Sequence, residues 1–316
     1  MKNTFFLLLT VLCVMSVNAA NKYDNPDTLF VARDGTGEFR TIEDAVEVCR
    51  AFMEYHKVIY VKKGVYKEKL IIPSWLTNIE ICGEDVEKTI ITYDDHANIR
   101  LQTTGKPMGT FRTYTVKVEG SNITFTNITI ENNAARLGQA VALHTEGNHL
   151  IFRRCRLLGN QDTIYTGVGN TKVFFDNCYI EGTTDFIFGP STAWFENCTI
   201  HSKTNSYVTA ASTPADVEYG YVFNKCKLTA DEGVDKVFLG RPWRPYAYTL
   251  FMNCELGAHI VPVGWHNWGK ASNEQTARYA EYNNNGPGAA SDKRAFWSKQ
   301  LTKKQAAAIT FKTVMW

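Results

Sequence analysis

The chain has 316 residues, of which 44% are apolar and 21% charged, enough for a sizeable core in one or two domains. Its formal charge is +2, and +1 once Lys2 is set aside (33 basic against 32 acidic residues). That balance gives no electrostatic preference for nucleic acid or for a membrane surface.

Met1-Lys2, an apolar run from Phe5 to Met15 and the small residues ending at Ala20 have the pattern of a secretory signal peptide. The run is too short to span a bilayer. We therefore expect residues 1–19 to be a signal peptide, 20–316 to form a single domain, and the mature protein to be secreted. The seven His are scattered without metal-ligand spacing, so no metal site is expected.

After Phe30-Val31-Ala32 comes a turn cluster, Asp34 to Gly37. Thr41 and Asp44 then form an N-cap pattern, and Ile42, Ala45, Val46 and Cys49 have helical spacing, predicting a helix over 41–54. Short strands are expected at Val58–Val61 and Lys69–Ile72, on either side of Gly64 to Glu68.

A repeat dominates the remainder. Phe152-Arg-Arg-Cys155-Arg-Leu157 returns with its apolar positions at Phe175/Cys178/Ile180, Phe195/Cys198/Ile200, Phe223/Cys226/Leu228 and Phe251/Cys254/Leu256. Phe125/Ile128/Ile130 is an earlier copy, and Leu76/Ile79/Ile81 is read as one more. Cys and the aliphatic residue two places on share a strand face, whereas the three-residue step from Phe to Cys breaks alternation and predicts a bend between them. Units of 20–28 residues without helical periodicity bury themselves only by stacking. The expected fold is all-β, a parallel β-helix with the N-terminal helix capping its first coil. Stacking makes the five Cys an internal column of free, buried thiols. The Asn-x-Ser/Thr matches at Asn122, Asn127 and Asn197 fall in or beside the repeats and read as ladder residues. Thr302 is placed to cap a short helix through Ile309, with the tail packed outside the solenoid.

Loop Asp residues usually bond to their own backbone. Asp162 and Asp185, however, each lie seven residues beyond a repeat Cys, so stacking puts them side by side on adjacent coils. Gln161 precedes Asp162, Gln139 lies one coil earlier, and Arg241 lies further along. Two carboxylates, two amides and an arginine in one groove point to acid/base, nucleophile and oxyanion-donor chemistry.

Five segments resemble the pectin methylesterase (pectinesterase) family: Gly64-Val-Tyr-Lys-Glu68, Gln139-Ala-Val-Ala-Leu143, Gln161-Asp-Thr163, Asp185-Phe-Ile-Phe-Gly189 and Leu239-Gly-Arg-Pro-Trp243. They occur in family order over nearly the whole mature chain. The likeness is to the bacterial secreted type, without the inhibitor-like extension of many plant members.

This resemblance implies a right-handed parallel β-helix and demethylation of methylated homogalacturonan, with release of methanol and no cofactor. It implies Asp185 as nucleophile, Asp162 as acid and base, Gln161 and Gln139 as oxyanion donors, and Arg241 as the holder of Asp185. Thr110, Gln139, Tyr165, Phe186, Arg241, Trp243 and Trp268 would meet the sugar, with core packing an equal reading for Phe186. Glu68 is read as structural. A monomer is expected. Other β-helical pectin enzymes, an esterase with a different leaving group and a non-catalytic carbohydrate-binding solenoid remain alternatives at this point.

Overall fold

In a computed structural model, which describes residues 21–315, the chain winds into three parallel sheets of 11, 7 and 8 strands. Each of the central coils gives one strand to each sheet in turn, and neighbours within a sheet come from successive coils. This is the right-handed parallel β-helix. The expected signal peptide lies outside the described residues.

The repeat supplies the frame. Phe125, Phe152, Phe175, Phe195, Phe223 and Phe251 are fully buried. They stack ring on ring, with centroids 4.3–5.3 Å apart and planes within 15°. Ile128 and the five Cys form a second buried column, followed by Ile130, Leu157, Ile180, Ile200, Leu228 and Leu256. Cys155, Cys178, Cys198, Cys226 and Cys254 are free. Each thiol donates to the carbonyl of a Phe in the preceding coil, as Cys178 does to Phe152 at 3.3 Å, so the weak donor is satisfied inside the stack.

The expected bend has a single cause. The residue before each Ile or Cys is left-handed: Asn127, Arg154, Asn177, Asn197, Lys225 and Asn253 have φ between 50° and 56°. Among residues with a side chain Asn tolerates this conformation best, which explains its frequency there. Asn122 also takes the left-handed region, at φ 57°.

Two readings need correction. Leu76/Ile79/Ile81 is not a copy in register, because Ile81 pairs with Phe125 and Ile79 with Ile123. The similarity is local, and the left-handed Asn78 instead aligns with Asn122 at the start of the strand. The N-terminal helix spans only Ile42–Glu47. Beyond Val48 the chain turns back, and Phe52, at φ 55°, gives its N–H to the Trp75 carbonyl. Cys49 and Met53 still bury, so the apolar periodicity was a core signal that outlasted the helix.

That helix packs against the strands Leu29–Val31, Lys57–Val61 and Leu70–Ile72 and covers the first coil. Its start is held by Glu68, whose carboxylate accepts from the Ile42 and Glu43 N–H groups at 3.2 and 2.9 Å. Glu68 is therefore structural. At the other end, Thr302 and Gln305 form a capping box on the helix Lys303–Ala308. The helix Phe311–Met315 then lies on the outside, with Phe311 against Phe174 and Trp194.

Candidate active site

The site forms where the chain passes from the 8-stranded sheet to the 7-stranded one. Asp162 and Asp185 both stand at this corner with left-handed backbones, φ 68° and 49°. The pairing of Ile164 with Ile187 puts them at equivalent places on adjacent coils. Their N–H groups continue the coil-to-coil bonding, to Thr184 O at 3.1 Å and Tyr207 O at 2.8 Å. They are turn residues, as loop Asp usually are, but the Asp185 carboxylate is not spent on its own turn.

Asp185 is held by Arg241. Nε donates to Oδ1 at 2.9 Å and Nη2 to Oδ2 at 2.7 Å, a two-pronged ion pair with little access to water. Arg241 follows the strand Phe238–Gly240, where Gly240 lets the coils approach: a Cβ there would stand 2.0 Å from Thr209 Oγ1. The guanidinium is sandwiched between the rings of Tyr207 (3.9 Å) and Trp268 (3.8 Å).

The two acids are thereby made unlike. Burial pushes the Asp162 carboxyl well above the usual range, the Asp185 charge pushes it further, and Arg241 offsets this only in part. Burial also raises the Asp185 carboxyl, but there the hydrogen bonds and charge of Arg241 pull back. Among the described residues no cation is bonded to Asp162. The pair shares its protons as a unit, and the state it favours has the proton on Asp162 and the charge on Asp185.

A cleft of about 230 Å³ opens over the pair. Gln139 and Gln161 line it with both acids and Arg241, and so do Thr110, Trp243 and Trp268, whereas the expected Tyr165 and Phe186 do not. Phe111, Phe188 and Ala210 line it as well and were not anticipated. Tyr165 stands beside the cleft, its ring 4.7 Å from Phe188 and 4.8 Å from Phe111.

Phe186 is a correction. It is fully buried in the main core, in space left by Gly182, where a Cβ would come within 2.2 Å of it. The left-handed turn at Asp185 sends the next side chain inward, and Phe188, two residues on, takes the groove position. Alternation counted from the far side of that turn was the signal for Phe188; Phe111 lies in a long loop that offers no such count.

Over residues 28–315 the chain matches the family model described as pectinesterase. The chain belongs to the pectinesterase family. It is 37% identical to pectinesterase 31 of Arabidopsis thaliana over 87% of this chain and 88% of the relative. It is 36% identical to a probable pectinesterase/pectinesterase inhibitor of Brassica napus over 92% of this chain, but spans only 50% of that longer relative. Among solved structures it is similar to pectin methylesterase from carrot, at 32% identity and a TM-score of 0.84, covering 92% of this chain and 93% of the other. A pectin methylesterase solved in complex with a hexasaccharide is 26% identical, with a TM-score of 0.79 over 91% and 96% of the two chains. Family membership makes the chain a carboxylic ester hydrolase that removes methyl esters from pectin.

Proposed function

We propose that this chain demethylates homogalacturonan through an acyl intermediate on Asp185. The observation that carries the reading is the asymmetry of the two acids: same place on adjacent coils, but Arg241 bonded to Asp185 alone.

An Asp185 oxygen attacks the ester carbonyl carbon, and the carbonyl π pair moves onto oxygen. The amides of Gln161 and Gln139 face the same cleft and donate to that oxyanion. As the intermediate collapses, the C–O bond to the methoxy group breaks and Asp162 gives up its proton, releasing methanol. The uronic acid is now joined to Asp185 as an anhydride. Asp162, now a carboxylate, takes a proton from water while the water oxygen attacks the acyl carbon. Collapse breaks the bond to Asp185, regenerates it as an anion and leaves Asp162 protonated, while the freed galacturonic acid gives its remaining proton to solvent and departs as the carboxylate.

The burial of both acids supports this division of labour, since a desolvated carboxylate is a better nucleophile and a desolvated acid keeps its proton near neutrality. Trp243, Trp268, Phe188, Phe111 and Tyr165 offer ring faces for sugars along the groove. Thr110 stands at the groove edge in the turn Thr110–Arg112. No group of three or more His, Cys, Asp or Glu among the described residues is arranged to hold a metal, and the steps above use none. The leader pattern supports secretion, and among the described residues no helix is long and apolar enough to cross a membrane. The curated relatives named above are plant proteins, so they lend no support to a bacterial type.

Asp185→Asn and Asp162→Asn test the reading. Each should lower methanol release from methylated pectin by at least about 10³-fold with an unchanged circular dichroism spectrum. Near-normal release by either variant rejects the pair.

A further inference from the structure

The turn Gly264–Gly269 contains a contact that the two acids and their arginine do not account for. Of the two rings on Arg241, Tyr207 is placed by a regular strand, Tyr207–Ala211. Trp268 is not. It stands in a turn with φ 63°, a conformation costly for a bulky side chain, followed by Gly269 at φ 68°. The Trp268 backbone N–H donates to His266 Nδ1 at 2.9 Å. That bond fixes the state of the imidazole, because Nδ1 accepts only when unprotonated and the ring proton then sits on Nε2.

His266 is itself docked against the site. Its N–H donates to the Gly240 carbonyl at 3.1 Å, one residue before Arg241. Its ring packs on Tyr207 and Phe238, with centroids 5.3 and 5.4 Å away. Asn267 closes the rest of the turn, accepting from the Gly269 N–H at 2.8 Å and donating to Glu274 at 2.7 Å.

The geometry assigns His266 the role of a positioning residue for the arginine clamp. Neutral Nδ1 holds the Trp268 turn, Trp268 covers one face of Arg241, and Arg241 keeps Asp185 ionised and aimed. This rests on the reading of Asp185 as nucleophile. The groups around His266 are the Arg241 charge, the Tyr207 phenol and, across Asn267, the Glu274 carboxylate. Burial and the Arg241 charge both disfavour a proton on the ring, which is the state the bond needs. A proton on Nδ1 removes the acceptor and adds a positive charge beside Arg241, so the clamp loosens as pH falls.

The test compares His266→Leu, which removes the acceptor, with His266→Asn, whose Oδ1 replaces Nδ1. In the Leu variant kcat on methylated pectin should fall about tenfold. The acid limb of kcat/KM should also move to higher pH, because Asp185 loses part of what holds its carboxyl down. The Asn variant should restore both. In the full wild-type chain, labelled with ¹⁵N, the Trp268 backbone amide should titrate together with the His266 ring. Wild-type kcat and an unmoved acid limb in the Leu variant overturn the proposal, as does an Asn variant no better than Leu, or a Trp268 amide indifferent to the His266 titration. If the Leu variant does not fold, the Asn variant and the amide titration decide. The amide is read without turnover, so its failure counts against His266 alone, whereas an active Asp185→Asn variant counts against the nucleophile.

Discussion

Arg241→Ala is the perturbation that reaches furthest into the site. It removes two charge-assisted bonds to Asp185, at 2.9 and 2.7 Å, each worth about 1.5–3 kcal/mol where water is excluded. Water entering the space replaces part of this, leaving a loss of about 3–4 kcal/mol in transition-state stabilisation, or about 10²–10³ in kcat/KM. The pH profile carries the more specific signature. Arg241 lowers the proton affinity of both Asp185 and Asp162. Without it, burial acts unopposed and both carboxyls move up. The nucleophile must be ionised and the acid protonated, so both limbs of the bell in kcat/KM shift to higher pH. Arg241→Lys keeps a charge but not the planar fork or its stacking, and should fall between Ala and wild type. The assay is methanol release across a pH series, with circular dichroism as the fold control. An Ala variant within about threefold of wild type and with an unmoved bell refutes the claim that Arg241 separates the two acids.

Gln161→Ala should lower kcat by about 10²–10³ with a much smaller change in KM if its amide donates to the developing oxyanion; a change in KM alone retires that role. Asp162→Asn should stabilise the fold at neutral pH by about 1–3 kcal/mol, measured as a rise in melting temperature. The folded carboxyl keeps its proton to higher pH than the unfolded one, so stability falls as pH rises between the two. The Asn variant's advantage should therefore vanish below the ordinary carboxylate range, and an equal advantage at all pH values refutes this. Phe195→Ala, in the middle of the ring stack, should cost about 3–5 kcal/mol by urea unfolding. A loss below about 1 kcal/mol means that the stack relaxes to fill the gap.

The fold was legible in the sequence because burial recurs at fixed offsets. Phe, then Cys or Ile, then an aliphatic residue identify the coil, and the awkward three-residue step marks its bend. The acids were legible for the same reason, since their equal distance from a Cys survives any ignorance of loop shape. Phe186 and Phe188 were not separable, because residues two apart share a face on a regular strand, and only the left-handed turn at Asp185 takes Phe186 out of that alternation and into the core. The end of the N-terminal helix was hidden too: Cys49 and Met53 are buried, and burial without a helix leaves the same periodic trace. Phe111 reaches the cleft from a long loop, which no spacing encodes, whereas Ala210 stands in register with Phe188 one coil on. His266 is a local signal of another kind, a histidine two residues before a left-handed tryptophan, and it becomes visible only once the backbone is known.

The corners of the coil differ in how freely they can evolve. From Asn127-Ile128 to Asn253-Cys254, every passage from the 11-stranded to the 8-stranded sheet uses two residues, the first left-handed. An added residue there slides the strand that follows by one place against its neighbours and turns its apolar side to water. The next corner has no such uniformity: it spans 94–115, 133–142, 159–163, 183–186, 203–206 and 231–237 in successive coils. Thr110, Gln139, Gln161, Asp162 and Asp185 all stand in those variable segments. New loops can be grafted at that corner to reshape what the groove accepts, while the invariant corner keeps the register of the solenoid beneath them.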